Sequence, residues 1–284
     1  MTQEFVGEQV GGYRVLGVLD SGALGQVFRA ADTERGHDVA LTLLDPQWTS
    51  DGAYRQRFLT CARAAARLTE PHAVPVERYG EVDGRLFLAA RLVEGEDLAS
   101  LLARSGALDP ARAVDLVGQV ARALDAASAA GLVHGRLSAA DVLLARSGDA
   151  NAGADVVQVT GLGLALPVDP GPRADVCALA GVLFELLTGR PPLPAAEPPA
   201  PSSLWPDIPP DLDGVVLRGL AADPGQRWSS AGGMAAAARA VLSVSGIEVS
   251  RPADRPSPTG VAEAAPTALR AGRRLLRRLD PRRR

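Results

Sequence analysis

Hydrophobic and polar positions alternate with a period of two early in the chain and shift to a helical period further on, which marks two regions of different architecture. Residues 13–19, 27–31 and 38–44 are short β-favouring runs, and the clusters Asp20-Ser21-Gly22 and Glu34-Arg35-Gly36 between them predict a meander joined by turns. After Asp51 the apolar residues Phe58, Cys61, Ala65 and Leu68 take the spacing of one buried helix face, which stops at Pro71. Two further runs, 76–81 and 86–90, are joined by Asp83-Gly84. Five strands and one helix therefore make a small lobe over residues 1–92.

From Asp97 the helical period dominates. Residues 98–103 form one short helix, and Asp109 with Pro110 opens a long one whose stripe is Val114, Val117, Val120, Ala121 and Leu124. Residues 142–144 and 156–159 have the composition of a short strand pair. A helix over 175–188 is closed by Gly189 and Pro191, a proline-rich extended stretch fills 191–210, and helices follow at 212–220 and 231–242. Residues 93–245 thus make a helical second lobe, 246–266 have linker composition, and 267–284 form a separate basic tail. Strands in one region and helices in the other predict an α+β fold.

Composition sharpens this picture at two points. All 30 basic residues are arginines, so no chemistry that needs a lysine is open to the chain. The net charge of -3 conceals a tail in which eight arginines, between Arg270 and Arg284, stand against Asp280 alone; everything before it is acidic. Cys61 and Cys177 lie far apart without metal-ligand spacing, which suits free thiols in a reducing cytosol. No uncharged run reaches the roughly 18 residues of a membrane span, and the opening residues are polar and acidic, so a cytoplasmic protein is expected.

Three stretches then carry a resemblance. Gly131-Leu132-Val133-His134 leads into residues 138–144, Arg173-Ala174-Asp175-Val176 runs through to Gly189-Arg190-Pro191-Pro192, and Asp223-Pro224-Gly225-Gln226-Arg227 follows. In order and spacing they resemble the eukaryotic-type Ser/Thr protein kinases of actinobacteria over roughly residues 11–243. The resemblance implies a two-lobed kinase-like fold with a β-rich N-lobe and a helical C-lobe. It also implies an ATP slot roofed by Val27 and Ala40 over Leu143, with Gly22 and Gly25 beneath which the phosphates lie, and a catalytic loop braced by His134 and Asp175. Each of these residues also has a plain reading: two glycines make an ordinary turn, and the apolar three an ordinary core.

At the chemical positions the chain departs from that family. The first glycine of the phosphate loop is Asp20, an acid facing the charge it would cover. The lysine that pairs with the α- and β-phosphates becomes Thr42, and its glutamate partner becomes Cys61. In the catalytic loop the proton-accepting aspartate becomes Arg136, the lysine Ser138 and the metal-binding asparagine Asp141, which reads as a weak metal candidate or as a local cap. The second metal acid becomes Gly161, and Leu162 replaces an aromatic. Only 11 residues separate Gly163 from Asp175, so the activation segment is shortened.

The expectation is a pseudokinase: a docking or regulatory module with no required cofactor, weak ATP binding at most and no magnesium. The alternatives are an atypical active Ser/Thr kinase and a nucleotide-sensing switch. Thr259 and Thr267, in the proline-rich stretch, are candidate phosphosites for a forkhead-associated domain partner; an inert linker is the competing reading. The resemblance also implies pseudokinases linked to a peptidoglycan-precursor lipid flippase. Leu269, Leu276 and Leu279 share one side of a short arginine-rich helix suited to an anionic membrane surface, whereas the acidic body argues against nucleic acid.

Overall fold

The computed structural model describes residues 5–22, 24–145, 155–164, 173–192 and 198–245. Its first region is a six-stranded antiparallel sheet of order β1-β2-β3-β4-β6-β5, built from β1 (Gln9–Val10), β2 (Tyr13–Gly22), β3 (Gly25–Asp32), β4 (His37–Leu44), β5 (Val76–Val82) and β6 (Arg85–Arg91). Helices α1 (Pro46–Ser50) and α2 (Gly52–Ala65) follow β4, and Asp51 caps α2 by accepting from the N–H groups of Ala53 and Tyr54. The alternation along β4 sorts its side chains. Val39, Leu41 and Leu43 join a core with Tyr13, Phe28 and Phe87, while Ala40 and Thr42 turn to the cleft. Burying a leucine as fully as Leu41 stabilises by about 2 kcal/mol.

The second region is helical apart from a small sheet of β7 (Gly95–Asp97), β8 (Val142–Ala145) and β9 (Val156–Val159). Its helices are α3 (Leu98–Ser105), α4 (Pro110–Ala129), α5 (Ala174–Thr188), α6 (Pro201–Leu204), α7 (Asp211–Gly219) and α8 (Ala231–Val244). Asp109 caps α4, and the predicted stripe Val114, Val117, Val120, Ala121 and Leu124 is buried. Helix α8 docks on α4 where Asp125 accepts from the N–H groups of Ala231 and Gly232, at 3.1 and 3.0 Å. A Cβ at Gly232 would sit 2.4 Å from that carboxylate, so a larger residue there would push Asp125 aside. One continuous core joins Tyr54 and Phe58 of the first region to α4 and α5 of the second.

Four expectations change. The first region has six strands and two helices, where five and one were expected. Asp20-Ser21-Gly22 is strand, not turn: β2 runs to Gly22, which pairs with Gly25, and two bulges between Val15 and Asp20 absorb the irregular register. The buried face of α2 is Tyr54, Phe58, Ala62 and Ala65; Cys61 is half-buried and Leu68 lies beyond the helix end. The stretch expected to be extended contains α6, opened by Pro201. The linker and tail, with Thr259 and Thr267, lie outside the described residues, as do residues 165–172 of the shortened segment.

Candidate functional site

A cleft of about 540 Å³ lies between the sheet and the helical region. Leu19, Asp20, Val27, Ala40 and Thr42 line one side; Arg136, Asp141, Leu143, Thr160, Gly161 and Leu162 line the other. The predicted slot residues Val27, Ala40 and Leu143 therefore do come together, far apart as they are in sequence.

The two loop glycines serve different ends. Gly25 has φ of +150°, and a Cβ there would lie 2.1 Å from the carbonyl oxygen of Leu43, so the close approach of β3 to β4 requires it. Gly22 is open, with Arg136 Nη1 the nearest atom to its Cβ position at 3.9 Å. Between them Leu24 turns inward and is buried with Leu44, Tyr54 and Phe58. Asp20 is exposed, and its Oδ1 accepts from the N–H of Ser21 at 2.7 Å.

Thr42 is nearly buried on β4, between Val27 of β3 and Leu88 of β6 in register. Cys61 packs against the core, where burial pushes its thiol up and the Arg57 guanidinium pulls only partly against it. At neutral pH it is a thiol, with no charge to offer a cation. Close by, burial pushes the Tyr54 hydroxyl up to about 12, against the pull of Arg57 and Arg136.

The catalytic-loop region is tightly braced. Asp175, in the first turn of α5, accepts from the backbone N–H of His134 at 2.8 Å and of Gly135 at 2.6 Å. His134 is buried and its Nε2 bonds the Thr160 carbonyl at 3.0 Å, which fixes Nε2 as the donor and leaves Nδ1 without a partner. Asp141 caps its own turn: Oδ2 accepts from both the N–H and the hydroxyl of Ser138, at 2.9 and 2.8 Å. Of the two readings of Asp141, the local cap is the one built here.

Gly161, at the second metal-acid position, has φ of +80° and carries no ligand atom; a Cβ there would meet His134 Nε2 at 3.4 Å. Magnesium takes oxygen ligands in near-octahedral geometry. Asp141, with one oxygen committed, and a glycine do not fit that ion. Among the described residues no group of three or more His, Cys, Asp or Glu could hold a metal. Gly163 matters for packing: with φ of +93°, a Cβ there would lie 2.7 Å from Cβ of Ala65, so a glycine and an alanine let this turn press against α2.

The late motif is also a brace. Arg227 donates to the carbonyls of Ala221, Ala222 and Arg173, and Arg173 in turn to those of Pro224, Gly225 and Arg227. Sequence reasoning missed the geometry of Arg136. It is the cation placed under Gly22, and among the described residues its guanidinium makes no hydrogen bond or ion pair.

Comparison with known proteins agrees with this layout. The family model for protein tyrosine and serine/threonine kinases matches residues 14–180. The chain belongs to the protein kinase family. Within that family it is 40% identical over 270 residues to the serine/threonine-protein kinase PknH of Mycobacterium tuberculosis, covering 84% of this chain and 43% of PknH. It is 39% identical over 272 residues to PknD of the same organism, covering 84% of this chain and 41% of PknD. The crystal structure of the M. tuberculosis PknI kinase domain superposes with a TM-score of 0.71 at 31% identity, covering 83% of this chain and 98% of that domain. The two-lobed kinase fold expected from the motifs is thus the fold of the family. The chain spans less than half the length of PknH and PknD. No helix among the described residues is long and apolar enough to cross a membrane.

Proposed function

We propose that this kinase-family domain no longer transfers phosphate and works as a docking or regulatory module. The observation that carries the reading is Arg136, at the position where the family keeps its proton acceptor. A guanidinium stays protonated at any physiological pH and cannot take a proton from a substrate hydroxyl. Thr42 and Cys61 supply neither half of the phosphate-pairing ion pair, and Gly161 supplies no metal oxygen. Four losses at one site argue for release from chemistry, where a single loss could be compensated by a neighbour.

The partners proposed are proteins and lipid. Phosphorylated Thr259 or Thr267 suits a forkhead-associated domain, the family resemblance points to a flippase of peptidoglycan precursors, and the arginine tail suits the anionic inner face of the plasma membrane. The test of the central claim is incorporation of labelled phosphate from ATP with magnesium or manganese, into the protein itself and into generic substrates. No incorporation above a no-protein control is expected. Incorporation abolished by Asp141→Ala would establish the competing reading, an atypical active kinase.

A further inference from the structure

The cleft keeps the features that hold a flat ring. Val27 and Ala40 from the sheet and Leu143 from β8 line it, and the backbone of Leu92 and Val93 at its edge makes no hydrogen bond among the described residues, leaving donors and acceptors for a ligand edge. Its volume of about 540 Å³ falls within the usual range for small-molecule sites, about 300–1,000 Å³.

Its charge has been rearranged. The ionisable residues lining it are Asp20, Arg91, Glu96, Asp97, Arg136 and Asp141. Glu96 is paired with Arg104 at 2.7 Å, Asp97 caps α3, Asp20 takes the Ser21 N–H and Asp141 takes Ser138. Under the glycine hairpin Arg136 makes no hydrogen bond or ion pair among the described residues, and it reaches from the loop below to within van der Waals range of the Gly22 position above. A guanidinium in that place offers a planar fork of donors to one phosphate. The other arginine lining the cleft, Arg91, pairs with Val39 at the opposite end of β4 from the Gly22–Gly25 hairpin, so further phosphates would meet the carboxylates of Asp20 and Asp141, with no pair of ligands to hold a metal that could screen them.

We propose that this cleft binds a flat heteroaromatic ligand carrying a single phosphate, the nucleoside monophosphate class, without a divalent cation, and that Arg136 holds the phosphate. Affinity then falls as phosphates are added. This rests on the reading that the cleft does not transfer phosphate; failure of that reading is seen as incorporated label, failure of this one as an altered order of affinities.

The test is calorimetric titration of the purified chain with adenosine, AMP, ADP and ATP, each in magnesium and in EDTA. AMP is expected to bind tightest, ADP and ATP progressively more weakly, and AMP equally with and without magnesium. Arg136→Gln is expected to weaken AMP about tenfold or more, to the level of adenosine, by removing one charge-assisted pair. Arg136→Lys keeps the charge and retains tighter AMP binding than Arg136→Gln. Because Arg136 is exposed and makes no hydrogen bond or ion pair among the described residues, neither variant should change the melting temperature of the free protein. Absence of AMP binding, ATP binding more tightly than AMP, a gain in AMP affinity on adding magnesium, or AMP affinity unchanged in Arg136→Gln would each overturn the proposal.

Discussion

Asp175 is the side chain on which the loop beneath the cleft most depends, and its removal gives a sharp test of what holds that loop. Its two oxygens accept from consecutive backbone N–H groups, of His134 at 2.8 Å and Gly135 at 2.6 Å. A hydrogen bond to an ionised group contributes about 1.5–3 kcal/mol net, and a backbone N–H left without a partner adds a cost of its own. The carboxylate is half-buried, so water reaches part of the vacancy and the lower end applies to each bond. Its place in the first turn of α5 adds about 0.5 kcal/mol from the helix dipole. Asp175→Ala should therefore lose about 3–4 kcal/mol. Asp175→Asn keeps one acceptor but turns an amide donor toward the other N–H, and should lose about half as much. For a domain of this size each kcal/mol lowers the melting temperature by about 2–4 °C, so the alanine variant should melt about 6–16 °C lower. Urea titration at constant slope measures the loss directly. Hydrogen exchange at the His134 and Gly135 amides locates it. A loss under about 1 kcal/mol with both amides still protected would refute the assignment of Asp175 as the brace.

Gly25→Ala should destabilise by about 2 kcal/mol or more, since its Cβ would fall 2.1 Å from the Leu43 oxygen, whereas Gly22→Ala, in open space, should stay within about 0.5 kcal/mol; equal losses would remove the claim that packing demands only Gly25. The arginine tail should carry the intact chain down with vesicles of anionic lipid. That binding should weaken as salt shortens the screening length from about 10 Å at 0.1 M to 3 Å at 1 M. Gln at Arg273, Arg274, Arg277 and Arg278 should abolish it without lowering the melting temperature, and equal sedimentation of intact and tailless protein would exclude a membrane role for the tail.

Periodicity exposed the elements whose side chains alternate over several residues. The three runs at the start became β2, β3 and β4, and the five residues expected on the stripe of α4 are all buried, within a wider buried face that also takes in Leu116 and Gln119. It was silent for β1 and β7, strands of two and three residues that exist only through their pairing. In α2 it placed Phe58 and Ala65 on the buried face but put Cys61 there where the structure has Ala62, a small residue that barely registers as apolar; Ala62 and Ala65 together let Gly163 approach. The turn expected at Asp20-Ser21-Gly22 failed because bulges let turn-forming residues remain in a strand.

At the cleft, local sequence could reveal which groups are gone but not where the replacements point. Arg136 was readable as the loss of a base; its place under Gly22 depends on the two lobes meeting, which no window of sequence contains. The pattern of what stayed follows from the partners. Asp175, His134 and Arg227 bond backbone atoms of other segments, so changing them costs folding energy whether or not a ligand ever enters. Positions 42, 61, 136 and 161 serve in this family to hold a nucleotide, a metal or a proton, partners that lie outside the chain. In the free chain Thr42 lines the cleft between its strand neighbours, Cys61 packs against the core and Gly161 takes a left-handed turn, so what each position must satisfy there is chiefly a shape that fits.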